Sequence, residues 1–221
     1  MNSDWDIIGK EGLQFFGKMS ASISHEIKNV LAIINENAGL LEDFTLMAEK
    51  GRPIDLERFK TVAGKIRGQV GRADGIVKNL NRFAHSADHF SGEIDLNESL
   101  GFVVALSERF AAMADVSFEL METGRTVPLN TTPFILQNLL WLCLNFAIEV
   151  ANEDKKIHVL VEKTENGARI RFSNLRSIEK MPEDLFPSHK EKALLDALGA
   201  QISLDEGAGE LILFLPDGVG H

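Results

Sequence analysis

A chain of 221 residues, 44% of them hydrophobic, can bury one generous core or two small ones, so two compact domains are expected. Its formal net charge of −10 excludes a general binder of nucleic acid or of an anionic membrane, since either needs a basic footprint against phosphates. No apolar run approaches the roughly 20 residues that cross a bilayer, and the polar start Met1-Asn2-Ser3-Asp4 is no signal peptide, so a cytoplasmic protein without a membrane span is expected.

The first element is marked by Phe16, Met19, Ile23, Ile27, Val30, Ile34 and Leu41, spaced by threes and fours as on one helical stripe. The pattern predicts one long helix over this stretch. It stops at Gly51-Arg52-Pro53 and resumes with Phe59, Val62, Ile66, Val70, Ala73, Val77 and Leu80 to about Phe83. The result is an antiparallel helical hairpin. Two helices cannot enclose a core alone, so their stripes predict a homodimer in which two hairpins form a four-helix bundle. In the second helix Gly64, Gly68, Gly71 and Gly75 recur at intervals of four, three and four. Each costs roughly 1 kcal/mol against alanine in a helix interior. Such a face serves either the close approach of a neighbouring helix or a flat docking surface for a partner.

The pattern changes between Ser86 and Glu93, which divides the chain into domains 1–90 and 91–221. Asn97 is suited to cap a helix to about Met113, and Val116 to Leu120 alternates like a strand. Thr132-Pro133 opens a Leu-rich helix to about Asn152, within which the single cysteine, Cys143, reads as a small buried hydrophobe. Ile157–Glu162 and Ala168–Phe172 read as strands paired around Glu165-Asn166-Gly167. Glu191–Leu198 is helical and stopped by Gly199, and Ile202–Leu204 with Leu211–Leu215 makes a hairpin across Gly207-Ala208-Gly209. This second domain is an α+β sandwich, a mostly antiparallel sheet with helices on one face.

The segment that carries chemistry is Ser24-His25-Glu26-Ile27-Lys28-Asn29. His25 lies off the apolar stripe, two residues from both Ile23 and Ile27, and so faces solvent or a partner. A neutral imidazole is a good nucleophile near pH 7, and the adjacent Glu26 is placed to take or orient one ring proton while the other nitrogen attacks a phosphoryl group. Asn29, one turn on, has an amide able to position a water for attack on an acyl phosphate or to orient the phosphoryl group. Lys28 adds positive charge. The other histidines, His85, His89, His158, His189 and His221, lack metal-ligand spacing with cysteine or carboxylates and read as surface residues; no metal site is expected.

The run from Phe16 to Ile34, with Ser24-His25-Glu26-Ile27-Lys28-Asn29-Val30-Leu31 at its centre, resembles the H-box of two-component sensor histidine kinases. In that family the phospho-accepting histidine is followed by an acidic residue, a basic residue and a Pro-Leu pair. Val30 stands where many members have proline. The resemblance implies that His25 is phosphorylated, that Glu26 is its acid–base partner, and that Asn29 serves hydrolysis of a receiver's phosphoaspartate. It also implies a response-regulator receiver domain as partner, docking beside His25 on a surface that takes in Lys28, Gly68, Gly71 and Gly75.

The resemblance continues through Ile94–Leu100, similar to the entry of the family's ATPase domain, and Ala147-Ile148-Glu149, similar to the end of its N-box helix. The asparagines that would hold magnesium and ATP fall on Leu142 and Phe146, with Asn145 about 100 degrees of helix out of register. Where the family has Asp-x-Gly-x-Gly for adenine, this chain reads Ser173-Asn174-Leu175-Arg176-Ser177. Where it has a glycine-rich lid against the phosphates, Leu185–Lys190 runs directly into the last helix. The expected architecture is a phospho-accepting hairpin, forming a dimeric bundle, followed by a degenerate histidine-kinase ATPase-like domain without assigned cofactor residues. ATP and Mg enter only if the divergent site still works. Three functions follow from this: a histidine phosphotransferase or phosphatase, a sensor kinase with a divergent ATP site, and a dimeric adaptor that sequesters a kinase or receiver.

Overall fold

The computed structural model describes residues 2–88, 91–121, 124–176 and 186–218. Helix α1 (Asn2–Glu49) and helix α2 (Leu56–His85) flank a short turn. α1 stops where Gly51 takes a φ of 78°, and the N–H groups of Gly51 and Arg52 close onto the carbonyls of Ala48 and Met47 at 2.9 and 3.1 Å. α2 starts on Asp55, whose Oδ1 accepts from the N–H groups of Glu57 and Arg58 at 3.1 Å each. Just beyond the turn the Arg58 guanidinium lies 5.2 Å from the centre of the Phe44 ring. Met19, Ile23 and Val30 of the α1 stripe and Val62 and Phe83 of α2 are buried, whereas the stripe residues Phe16, Val70 and Val77 are exposed and Ile76, outside the stripe, is buried in place of Val77. α1 extends beyond its Phe16–Leu41 stripe at both ends; near its C-terminus, Leu46 and Met47 are exposed.

The chain divides into two compact units, Lys18–Ala84 and Met1–Gly17 together with His85–His221. The first turns of α1 therefore belong with the α+β unit and not with the 1–90 hairpin to which sequence assigned them. The cause is aromatic packing. Phe15, 1% exposed, places its ring 5.7 Å from Phe134 and 5.8 Å from Trp141. Spacing alone shows that Phe15 and Phe16 are apolar but not which partner receives them.

In the α+β unit the elements run β1 (Gly92–Asp95), α3 (Leu96–Met113), β2 (Ser117–Met121), β3 (Pro128–Thr131), α4 (Pro133–Glu149), β4 (Lys156–Thr164), β5 (Gly167–Ser173), α5 (His189–Leu198), β6 (Gln201–Asp205) and β7 (Glu210–Pro216). The main sheet has the order β2-β4-β5-β7-β6, with β2 parallel to β4 and the remaining pairs antiparallel. Ile157, Val159 and Val161 of β4, Ala168, Ile170 and Phe172 of β5, and Leu211, Leu213 and Leu215 of β7 are all buried, so one face of the sheet carries the core. A second antiparallel pair, β1 with β3, escaped the sequence reading because both strands have only four residues.

α3 is capped by Asp95, not Asn97. The Asp95 carboxylate accepts from the N–H of Asn97 at 3.0 Å and of Val127 at 3.2 Å, while the Asn97 amide donates to the Arg125 carbonyl at 2.9 Å. α5 opens on a capping box in which the N–H of Ser188 donates to Glu191 at 2.8 Å, and it ends on Gly199 with φ 60°.

Candidate functional site

On α1 the buried positions Met19, Ser22, Ile23 and Val30 leave Ser24, His25, Lys28 and Asn29 on the exposed side, with Glu26 and Ile27 half-buried at its edge. His25 and Asn29 are four residues apart and share one face. The Asn29 amide nitrogen lies 3.2 Å from His25 Nδ1. The helix runs unbroken past this point, since Val30, unlike a proline, keeps its backbone N–H and continues the ladder. The ring of His25 is left with Nε2 as the nitrogen not engaged by Asn29.

α2 carries Gly64, Gly68, Gly71 and Gly75 on its exposed side, and a Cβ added to any of them would meet nothing within 4 Å. Among the described residues no neighbouring helix comes within reach of the missing side chains. The same helix bears Arg58, Lys60, Lys65, Arg67, Arg72, Lys78 and Arg82 against only Glu57 and Asp74, although the whole chain is at −10. Lys78 bonds to Asp74 at 2.7 Å, which raises its pKa. The glycine face is therefore an open strip on a basic helix. The charge reversal was readable in the sequence, where the overall net charge concealed it.

In the α+β unit, the positions that the resemblance sets at the family's magnesium asparagines carry apolar side chains. Leu142 and Phe146 are 6% and 5% exposed, and the Phe146 ring stacks on Phe186 with centroids 4.2 Å apart and planes 14° from parallel. The nearby Asn145 amide donates to Glu149 of its own helix at 3.2 Å. The segment after β5 is fastened on both sides. Leu175 N–H donates to the Gly209 carbonyl at 3.1 Å, Arg176 N–H to the Val150 carbonyl at 2.9 Å, and the Arg176 guanidinium to the Glu149 carbonyl at 3.0 Å. Asn174, at φ 67°, donates to both Asp154 oxygens at 2.9 Å and to the Lys156 carbonyl at 2.8 Å. That amide is the main cause holding the Asp154 carboxyl below its usual range. Neither Leu142 nor Phe146 offers an oxygen to a hard cation, and a stapled loop stands where a glycine-rich segment would meet adenine. These residues do not fit ATP and magnesium. Sequence reasoning found the missing asparagines but not the Phe146–Phe186 stack, which joins residues forty positions apart. Ser177 and Leu185 lie outside the described residues.

Cys143 is fully buried, and burial pushes its thiol pKa upward. His85 bonds to Asp88 at 2.8 Å and His158 lies 3.2 Å from Glu119, whereas His89 and His221 are outside the described residues. Among the described residues no three His, Cys, Asp or Glu side chains converge as a metal site, and no helix is long and apolar enough to cross a membrane.

No family model matches the chain, and no curated protein sequence matches it. Among solved structures, it is similar to the catalytic domain of the histidine kinase ThkA, with a TM-score of 0.50, 17% identity, and coverage of 59% of this chain and 99% of that one. It is also similar to the Acinetobacter baumannii histidine kinase AdeS, with a TM-score of 0.49, 15% identity, and coverage of 89% and 98%. A third is ThkA crystallised in complex with the response regulator TrrA, with a TM-score of 0.48, 20% identity, and coverage of 95% and 64%. At these identities the likeness establishes fold, and the comparison with the isolated ThkA domain carries it. The chain thus joins a helical N-terminal region to an α+β unit with the fold of the histidine-kinase catalytic domain.

Proposed function

We propose that this chain is a two-component signalling protein in which His25 exchanges a phosphoryl group with the aspartate of a response-regulator receiver domain. The observation that carries this reading is the exposed His25, with Asn29 on Nδ1, within a segment that resembles the H-box. In the transfer, His25 Nε2 attacks the phosphorus of the receiver's aspartyl phosphate in line. The N–P bond forms as the P–O bond to the aspartyl oxygen breaks, and the aspartate leaves as a carboxylate. Lys28 and the basic residues of α2 supply charge for an acidic receiver face, and the strip at Gly68, Gly71 and Gly75 lets a partner helix approach the backbone. Because the second unit does not fit ATP and magnesium, the phosphoryl group reaches His25 from a partner. Hydrolysis of the receiver's phosphoaspartate, with Asn29 orienting water, is the accompanying activity. Val70 and Val77, seven residues apart on α2, are 53% and 43% exposed and serve the homodimer. Replacing both with glutamate is expected to halve the mass found by sedimentation equilibrium.

The test is to incubate the pure protein with radiolabelled ATP and magnesium, then with a labelled phospho-receiver, following acid-labile label on wild type and His25→Ala. Label arriving only from the receiver, and lost in His25→Ala, is the expected result. Label from ATP alone makes the chain a kinase. Loss of receiver label without transfer makes it a phosphatase, and no effect of any kind leaves an adaptor.

A further inference from the structure

We infer that the open edge of β2, with the pocket beside it, docks an extended peptide segment that adds a strand to the sheet and carries an apolar side chain and a carboxylate on one face. The site is independent of the reading of His25. In the parallel β2–β4 ladder the Ser117 N–H donates to the Lys155 carbonyl at 2.8 Å. Bonded residues alternate along such a ladder, so Ser117, Glu119 and Met121 are held by β4, and the N–H and carbonyl groups of Phe118 and Leu120 point the other way. Among the described residues no strand lies beyond β2.

Natural sheets blunt an open edge with lysine, proline or a covering element. β2 has neither lysine nor proline, and its last two residues, Leu120 and Met121, are 41% and 52% exposed. Its one charge, Glu119, is engaged at 3.2 Å by both Lys156 and His158 of the adjacent strand.

Beside the end of β2 lies a cavity of about 320 Å³. Leu100 of α3 and Val159 and Val161 of β4 are buried and give it an apolar floor, next to Leu120. Arg125 and Thr126, both exposed, stand at its rim. A strand laid along β2, about 4.8 Å further out, projects every second side chain into the layer that Leu120 occupies. One apolar side chain of that strand enters the cavity, and the side chain two residues on reaches the rim on the same face. The rim sets the sign of this second group. The Asp95 carboxylate already accepts from the N–H groups of Asn97 and Val127 at 3.0 and 3.2 Å. Arg125 instead presents a guanidinium, whose fork suits a carboxylate. Main-chain bonds to Phe118 and Leu120 hold the peptide, and the cavity and Arg125 select it.

The experiment titrates the full chain with a blocked, fluorescein-labelled peptide, Thr-Val-Thr-Leu-Thr-Asp-Thr, read by anisotropy, and maps the unlabelled peptide by amide ¹⁵N–¹H shifts. Saturable binding is expected, with shifts centred on residues 117–121 and 124–126. Methylating the peptide nitrogens of one alternate set of residues should weaken binding about tenfold, and methylating the other set should leave it unchanged, because only one set faces β2. Arg125→Glu should weaken this peptide about tenfold and favour its counterpart with lysine in place of aspartate. Absence of saturable binding overturns the inference, as do equal effects of the two methylated sets, which mean a ligand held without a ladder. A preference unmoved by Arg125→Glu overturns the carboxylate. A wild-type chain that leaves the peptide unbound, self-associates and returns to a smaller species in Leu120→Lys makes a second copy the occupant and overturns the peptide.

Discussion

At Gly167 the backbone of β5 passes against the end of β7 so closely that an added Cβ would meet the Leu215 carbonyl oxygen and lie 2.8 Å from Pro216 Cα. Both are backbone atoms of a paired strand and have no room to yield. Gly167→Ala is expected to cost more than about 2 kcal/mol, seen as a lower urea midpoint at unchanged slope. Asn174 offers a second test, because Asn174→Gly keeps the positive φ while deleting the amide that binds Asp154. The Asp154 carboxyl should then titrate higher, toward its ordinary range, as read by carboxyl ¹³C shifts. A carboxylate with a depressed pKa adds stability above its unfolded value of about 4 and loses it as pH falls through the folded value. The stability gap between wild type and Asn174→Gly that arises from Asp154 should accordingly hold above about pH 4 and close in stronger acid. Gly167 belongs to a turn that the sequence marked, Glu165-Asn166-Gly167, whereas the positive φ of Asn174 was not foreseen. Their contacts, with β7 and with Asp154, join residues far apart in the chain.

Among the elements, α2 depends on one side chain for its start. Asp55 meets the N–H groups of Glu57 and Arg58, and the backbone N–H of Phe59 closes on its carbonyl at 3.0 Å. Asp55→Ala is expected to cost about 1 kcal/mol and to raise amide exchange in residues 56–59, with the later turns of α2 unaffected. Apolar spacing placed this helix from Phe59, one turn late, because the first turn is polar or exposed and leaves no stripe. The same effect delayed α5, whose capping box at Ser188 and Glu191 was written in the sequence but precedes the apolar positions. For α3 the error ran to the wrong cap, since Asp95 and Asn97 are both good capping residues and only the position of Val127 decides between them.

For the molecule as a whole, the second unit has the fold of a histidine-kinase catalytic domain, and Leu142 and Phe146, which the resemblance sets at the family's magnesium asparagines, are buried within it. Leu142→Asn with Phe146→Asn would restore the amides that the family uses, yet the Asn174–Arg176 segment remains bonded to Val150 and Gly209. Titration of this double variant with ATP and magnesium, followed by calorimetry, is expected to show no binding; measurable affinity would mean that the two side chains alone close the site. The sequence by itself determined the two long helices, the paired strands β4–β5 and β6–β7, and the exposure of His25. These follow from local rules, since helix and strand periods and turn residues act within a few positions. Only the tertiary structure decided that the start of α1 packs with Phe134 and Trp141, that β1 pairs with β3, that Phe186 stacks on Phe146, and that the glycine strip meets no neighbour among the described residues. Each of these depends on which surfaces meet after the chain has folded, and residues distant in sequence carry no periodic signal of one another.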